Sequence, residues 1–311
     1  MSPPGVTERT GITKPVAAGV SIASNAILIA LKLAAAAITG SIAILSEALH
    51  SMIDLIASVI AFIAVRRADE PADMDHPYGH EKIESVGASI EGMLILVGAG
   101  VIVYEAVHRL VAGSEVSSLG VGMAVIGLSI VVDLIVAAFL RRQARKHSSP
   151  ALAGDAAHLG TDALTSVGVL IGLALVEITG ASAIDSAVAI AVAVAIVYAG
   201  INLIRRASGA LVDESPPPEE MDRIEAAIGR ARPPEMVGYH KLRARNAGRR
   251  RYIDMHVQFR TGTSLEQAHS LAHALRDAIE MELGDAEVLI HAEPESSRHD
   301  PSESPSQYRA G

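Results

Sequence analysis

His50 and Asp54 stand four residues apart in one apolar stretch of the chain, and His158 and Asp162 repeat that spacing in another. On an α-helix, positions i and i+4 share a face. Two such helices side by side would present two imidazoles and two carboxylates to a common point. That donor set suits a tetrahedral divalent transition metal, zinc or one of its neighbours. The chain has no cysteine, so any metal site must be built from His, Asp and Glu. Ionisable side chains inside an apolar span are costly, and a functional role is the default reading. The alternative is a set of interhelical hydrogen bonds that merely hold a bundle together; it accounts less well for the same spacing on two separate helices.

Two further groups of donors lie outside the apolar stretches. Asp73, His76 and His80 fall within eight residues of polar sequence, with Pro77 and Gly79 setting a turn between the histidines. They form either a metal site at a membrane surface or a solvated loop, because the spacing matches zinc ligands only loosely. Nearer the C-terminus come His240, His256 and His269, then His291 with Glu293. Scattered histidines are usually structural, but four at comparable places in one small fold favour a bound metal. Lys32, Glu47, Glu91 and Asp133 each stand alone in apolar sequence. They are expected to pair with polar groups on neighbouring helices or to line a wet cavity rather than to ligate; Glu47, three residues before His50, can stand behind it.

The elements that must position these groups follow from the apolar runs. A bilayer-spanning helix needs about 20 mostly apolar residues, and the chain offers six such stretches: Val16–Thr39, Ser41–Val65, Ile83–Val107, Val121–Leu140, Asp155–Ile178 and Ile184–Leu203. Basic residues flank them unevenly. Arg9 and Lys14, then Arg66, Arg67 and Lys82, then Arg141, Arg142, Arg145 and Lys146, then Arg205 and Arg206, all fall on one side of a six-span arrangement. The positive-inside rule puts that side, with both termini, in the cytoplasm. The first fourteen residues lack the regions of a cleaved signal peptide, so the first helix is expected to act as the insertion signal.

After the sixth stretch the sequence changes character. Glu219–Arg230 and Ser264–Glu282 read as amphipathic helices, and Val237–Arg245, Arg251–Arg260 and Ala286–Ala292 alternate as strands. The order αββαβ predicts a small two-layer α+β domain, ferredoxin-like or metallochaperone-like, with helices on one face of a sheet. The expected organisation is an N-terminal tail (1–14), a six-helix transmembrane domain (15–206), a linker (207–217), a cytoplasmic metal-binding domain (218–294) and a disordered tail (295–311). A formal net charge of −9 argues against a nucleic-acid partner. A zinc protease would need a general base beside its ligands, and no HExxH string is present. A non-transporting metal sensor would need an output module, and no kinase, nucleotide or DNA-binding signature appears.

Three segments carry a family resemblance: GSIAILSEALHSMIDLIAS in the second helix, HPYGHEKIES at the start of the third, and AAHLGTDALTSVGVL in the fifth. With them, the region from Val16 to Pro294 resembles the cation diffusion facilitator family, and within it the bacterial zinc exporters. The resemblance implies that His50, Asp54, His158 and Asp162 form the transport site, that Asp73, His76 and His80 form a loop-borne site, and that His240, His256, His269, His291 and Glu293 belong to a cytoplasmic binuclear site. Glu293 stands where those exporters carry Asp, which keeps the carboxylate on a longer arm. His50 also departs from them, since they carry Asp there; family members with His at this place are mostly zinc-selective, whereas all-carboxylate or Asn-containing sites are more manganese-like. Lys82 and Asp213 match a charged pair that ties the membrane part to the cytoplasmic part across a dimer. The implied protein is a homodimer in the plasma (inner) membrane that exchanges cytoplasmic zinc for external protons, with manganese, iron or cadmium as alternative cargo.

Overall fold

The computed structural model describes residues 12–39, 42–112, 120–179 and 183–295. Most of the N-terminal tail and all but the first residue of the tail expected to be disordered lie outside them. The chain forms two compact units, residues 1–208 and 209–311.

The first unit is helical: α1 (Lys14–Thr39), α2 (Ile42–Ala68), α3 (Ile83–Ala112), α4 (Gly120–His147), α5 (Pro150–Thr179) and α6 (Ala183–Leu211), the last ending just inside the second unit. Among the described residues, three stretches are long and apolar enough to cross a membrane, Lys14–Ile38, Ile83–His108 and Ala187–Leu211. Five of the six helices outrun the apolar runs that announce them by three residues or more, α2 by three and α3 by five at their C-terminal ends. α4 continues through Arg141–His147 because Arg, Gln, Ala and Lys are good helix formers, and its basic last turn complements the negative end of the helix dipole. α5 starts early, at Pro150, a residue suited to a first helical turn, with the Ser149 hydroxyl accepting from the Leu152 amide at 3.3 Å as an N-cap. α6 runs eight residues past Leu203, through Arg205 and Arg206.

Small side chains let these helices approach closely. Ala17 and Ala18 of α1, Ala64 of α2, Ala137 of α4 and Ala151 and Ala156 of α5 are all buried in one cluster with Leu140, Leu152 and Leu159. Ile95 and Ala99 of α3 meet Ile196 of α6 in another. The outward faces are apolar too: Ile27, Val97, Ile135 and Val194 are 61, 65, 64 and 65% exposed. Water would not tolerate that surface on a bundle of this size, but lipid does.

The second unit contains α7 (Pro218–Ala231), β1 (Met236–Ala247), β2 (Arg250–Phe259), α8 (Leu265–Leu283) and β3 (Ala286–Pro294). The sheet order is β1-β2-β3, with β1 antiparallel and β3 parallel to β2. A parallel neighbour requires a crossover, and α8 supplies it. Its start is fixed by a capping box in which the Ser264 hydroxyl accepts from the Gln267 amide while the Gln267 side chain accepts from the Ser264 amide. Ile253, Met255, Val257 and Phe259, every second residue of β2, join Ile224 and Ile228 of α7 and Leu275 and Ile279 of α8 in the core. Leu275 is 1% exposed. Leu275→Ala is therefore expected to destabilise this unit by about 2–5 kcal/mol, read as an earlier loss of its circular-dichroism signal in denaturant.

Candidate metal centres

Asp54 on α2 and His158 and Asp162 on α5 converge, with one donor atom from each lying within 4.8 Å of the others. His158 Nε2 is 3.4 Å from Asp54 Oδ1 and 3.7 Å from Asp162 Oδ2. Both separations exceed an ordinary hydrogen bond. They are close to the spacing of about 3.3 Å between neighbouring ligands of a tetrahedral zinc with bonds of about 2.0–2.2 Å. His158 is buried, and its Nδ1 has no hydrogen-bond partner among the described residues. His50 lies on α2 one turn before Asp54; its side chain, like that of Glu47, falls outside the described residues. Beside the cluster is a cavity of about 120 Å³ lined by Lys32, Ser51, Asp54, Asp133, Asp162 and Thr165 among others. Lys32 Nζ donates to Ser51 Oγ at 2.7 Å. Lys32 and Asp133 thus stand as expected, with a polar partner or on a polar cavity wall.

The loop donors also meet. Asp73 Oδ1 lies 3.2 Å from His76 Nδ1, Asp73 Oδ2 lies 3.4 Å from His80 Nε2, and the two imidazole rings are 4.4 Å apart. The arrangement is local. The Asp73 carboxylate accepts from the backbone amides of His76 at 2.6 Å and Asp75 at 3.0 Å, and Gly79 takes a φ of +91° that a side chain would strain. The amide of His76, above all, holds the Asp73 carboxyl below its ordinary range, so the group is a carboxylate at neutral pH.

In the second unit, strand register builds the site. His240 pairs with His256 across β1 and β2, and His256 pairs with His291 across β2 and β3. Three histidines therefore form a row across the sheet, with ring centroids 5.1 and 4.7 Å apart. Glu293, two residues beyond His291, shares its face of β3. Its Oε1 lies 2.7 Å from His256 Nδ1 and its Oε2 lies 3.3 Å from His240 Nε2, while His291 Nε2 is 3.7 Å from Oε1. A register shift between His240 and Arg243, with Lys241 at a φ of +50°, makes this possible. Without that bulge, strict alternation would put His240 on the core face with Leu242 and Ala244. Burial opposes the Glu293 charge, but the hydrogen bond with His256 and the three nearby imidazoles outweigh it and hold the carboxyl below its ordinary range. Of the five expected donors, His240, His256 and Glu293 form the tight cluster and His291 stands at its rim. His269 is elsewhere, on α8, with its ring 4.3 Å from that of His273.

These donor clusters coincide with known domains. A cation efflux transmembrane domain matches residues 18–212, and the cytoplasmic, dimerisation domain of cation efflux proteins matches residues 216–295. The chain belongs to the cation efflux family. A transporter of Synechocystis is 35% identical over 276 residues, 88% of each chain. The cation-efflux pump FieF of Serratia proteamaculans is 31% identical over 278 residues, covering 89% of this chain and 92% of the pump. FieF of Klebsiella pneumoniae is 30% identical over 285 residues, covering 92% and 93%. This cation efflux protein is therefore a membrane transporter and not an enzyme.

One buried group of this cation efflux protein escapes sequence reasoning, and another departs from it. Asp155 lies one turn before His158 on α5, and its Oδ1 accepts from Ser21 of α1 at 3.0 Å and Ser58 of α2 at 3.1 Å; Asn25 donates to Ser58 at 2.9 Å. The network ties α1 and α2 to α5 one turn from His158 in the donor cluster, the place that outer partners take in metal sites. Its only advance signal is the recurrence of Asp155, His158 and Asp162 at helical spacing. Glu91 of α3 corrects an expectation. It is fully buried, and neither carboxylate oxygen makes a hydrogen bond among the described residues. Gly154 accommodates it, because a Cβ at that position would strike the Glu91 carboxylate. Lys82 belongs to the first unit and Asp213 to the second, where its carboxylate accepts from Arg245 at 3.1 Å.

Proposed function

We propose that the protein exports zinc from the cytoplasm in exchange for protons, by alternating access of the site formed by His50, Asp54, His158 and Asp162. The supporting observation is the convergence of Asp54, His158 and Asp162 on a buried polar cavity, with His50 one turn away on α2. Two imidazoles and two carboxylates favour tetrahedral zinc, whereas manganese prefers an oxygen-rich octahedral shell. In this reading all six long helices span the plasma (inner) membrane, both termini are cytoplasmic, and the working form is a homodimer. Lys82 and Asp213 tie the membrane and cytoplasmic parts together across that dimer. Asp73, His76 and His80 gather metal at the membrane surface. The cytoplasmic donors His240, His256, His291 and Glu293, with His269, hold regulatory metal that draws protomers together.

Sealed vesicles containing the purified protein test this directly. Zinc is expected to cross faster than in protein-free vesicles and faster than manganese, and absence of protein-dependent metal flux would end the reading. His50→Asp should shift the zinc-to-cadmium or zinc-to-manganese rate ratio towards the competitor by about tenfold, equivalent to about 1.4 kcal/mol. If the unaltered protein moves manganese as readily as zinc, the selectivity argument is wrong. Replacing His240 and His291 together by Ala should lower the number of metals bound and slow transport severalfold without stopping it. Complete loss of flux in a folded, dimeric double variant would make the cytoplasmic site obligatory rather than regulatory.

A further inference from the structure

At the end of the bundle where α5 begins and α4 and α6 run out, four helices leave a cavity of about 530 Å³. Arg141 and Arg145 reach it from α4, and Arg206 and Asn202 reach it from α6. The three arginines are exposed, and none makes an ion pair or hydrogen bond with a described residue. Arg141 and Arg145 are four residues apart on one helical face, where like charges repel. The nearby carboxylate of Glu84 does not neutralise them, since it is engaged by Lys14 at 2.7 Å and by the Ser149 hydroxyl. Much of the remaining lining is small and apolar: Ala88 and Ala144, which are buried, Ala157 and Ala199, which are half-buried, and Ala153, which is exposed. Three cationic side chains beside a lining of alanines, in a protein whose sides face lipid, are complementary to an amphiphile with an anionic head.

We propose that this cavity binds an anionic phospholipid, with its headgroup phosphate held by Arg141, Arg145 and Arg206 and part of an acyl chain along the alanines. Guanidinium groups match phosphate oxygens in a bidentate manner, and basic pockets between membrane helices are places where anionic headgroups settle. Assignment to the cytoplasmic leaflet rests on the orientation proposed above; the site itself does not. Bound lipid would bridge α4 and α6 and so stabilise the bundle by binding only its folded form.

The test uses the full chain purified in detergent, with lipid retention read by native mass spectrometry and stability read as Tm. Short-chain phosphatidylglycerol should remain bound and raise Tm, whereas phosphatidylcholine of the same chain length should do neither. Arg145→Gln with Arg206→Gln should weaken retention by at least about tenfold. Arg142→Gln with Arg205→Gln removes equal charge from the same two helices outside the cavity and should leave retention unchanged. Ala153→Leu keeps every charge, places bulk on the cavity lining, and should also weaken retention, which preserves the test if the arginine variant fails to fold. Equal retention of both lipids, undiminished retention in both cavity variants, or an equal rise in Tm with inorganic phosphate alone would overturn the proposal. The last result would identify a free-anion site. Since none of these readouts involves zinc flux, the proposal and the transport reading fail independently.

Discussion

Asp54→Ala and Asp162→Ala, made singly, are each expected to abolish metal flux while leaving the protein folded and dimeric. Each substitution removes one charged donor from a cluster whose members already sit at ligand-to-ligand distances, with His158 Nε2 3.4 Å from Asp54 and 3.7 Å from Asp162. Changes to groups that merely orient ligands cost about 10–100-fold in metal affinity, so removal of a ligand itself should exceed that range. Folding should survive, because the bundle packs through Ala17, Ala64, Leu140, Leu152 and Leu159 rather than through these carboxylates. Removing a partly buried acid also relieves a desolvation cost. Flux in sealed vesicles, with size-exclusion chromatography and circular dichroism on the same samples, decides the matter. Flux at the normal rate in either variant would remove the site from the mechanism. Asp155→Asn provides a graded comparison: the side chain keeps an acceptor for Ser21 and Ser58, so flux should fall but persist.

The legibility of these sites in the sequence depended on how local their geometry is. The convergence of His158 and Asp162 could be read because helical periodicity alone places i and i+4 on one face, whereas the side chain of His50 lies outside the described residues. The loop site could be read because Asp73, His76 and His80 are joined by a single turn through Gly79. The cytoplasmic row could be only half read. That His240, His256 and His291 belong together was visible from their strands, but their alignment depends on register, and the register of β1 contains a bulge at Lys241 that no alternation rule anticipates. His269 shows the converse: it falls in the expected helix yet faces His273, because a helix position does not say which strand edge lies opposite. The Asp155 network was missed because Ser21, Asn25 and Ser58 are ordinary residues until three helices meet. The ends of α4, α5 and α6 were missed because hydropathy marks where a chain is apolar, whereas the helices continue as long as their residues favour the conformation.

Zinc and protons are expected to compete for the proposed transport site, and under the proposed antiport that competition would set the direction of pumping. A metal ligand must be deprotonated, so zinc binding releases protons. Imidazole nitrogens and carboxylate oxygens hold a proton and a metal through the same lone pairs, so a site built from His and Asp can hold one or the other. Under the proposed antiport, the site opened to a more acidic exterior would take up protons and release zinc, and opened to the cytoplasm it would lose protons and bind zinc. The cavity lined by Lys32, Asp54, Asp133 and Asp162 places polar side chains beside the site. The expected sign is therefore definite. Raising the pH on the exterior side should slow zinc export, lowering it should speed export until protonation of the cytoplasm-facing site intervenes, and zinc movement should drive protons the opposite way. The effect should be large, because each pH unit changes the concentration of the competing proton tenfold. A fluorescent pH indicator inside vesicles, with zinc flux measured in parallel and a protonophore as control, reads both quantities. Zinc flux that leaves internal pH unchanged and ignores an imposed proton gradient would refute antiport, while the Asp54, His158 and Asp162 site could survive as a uniporter's.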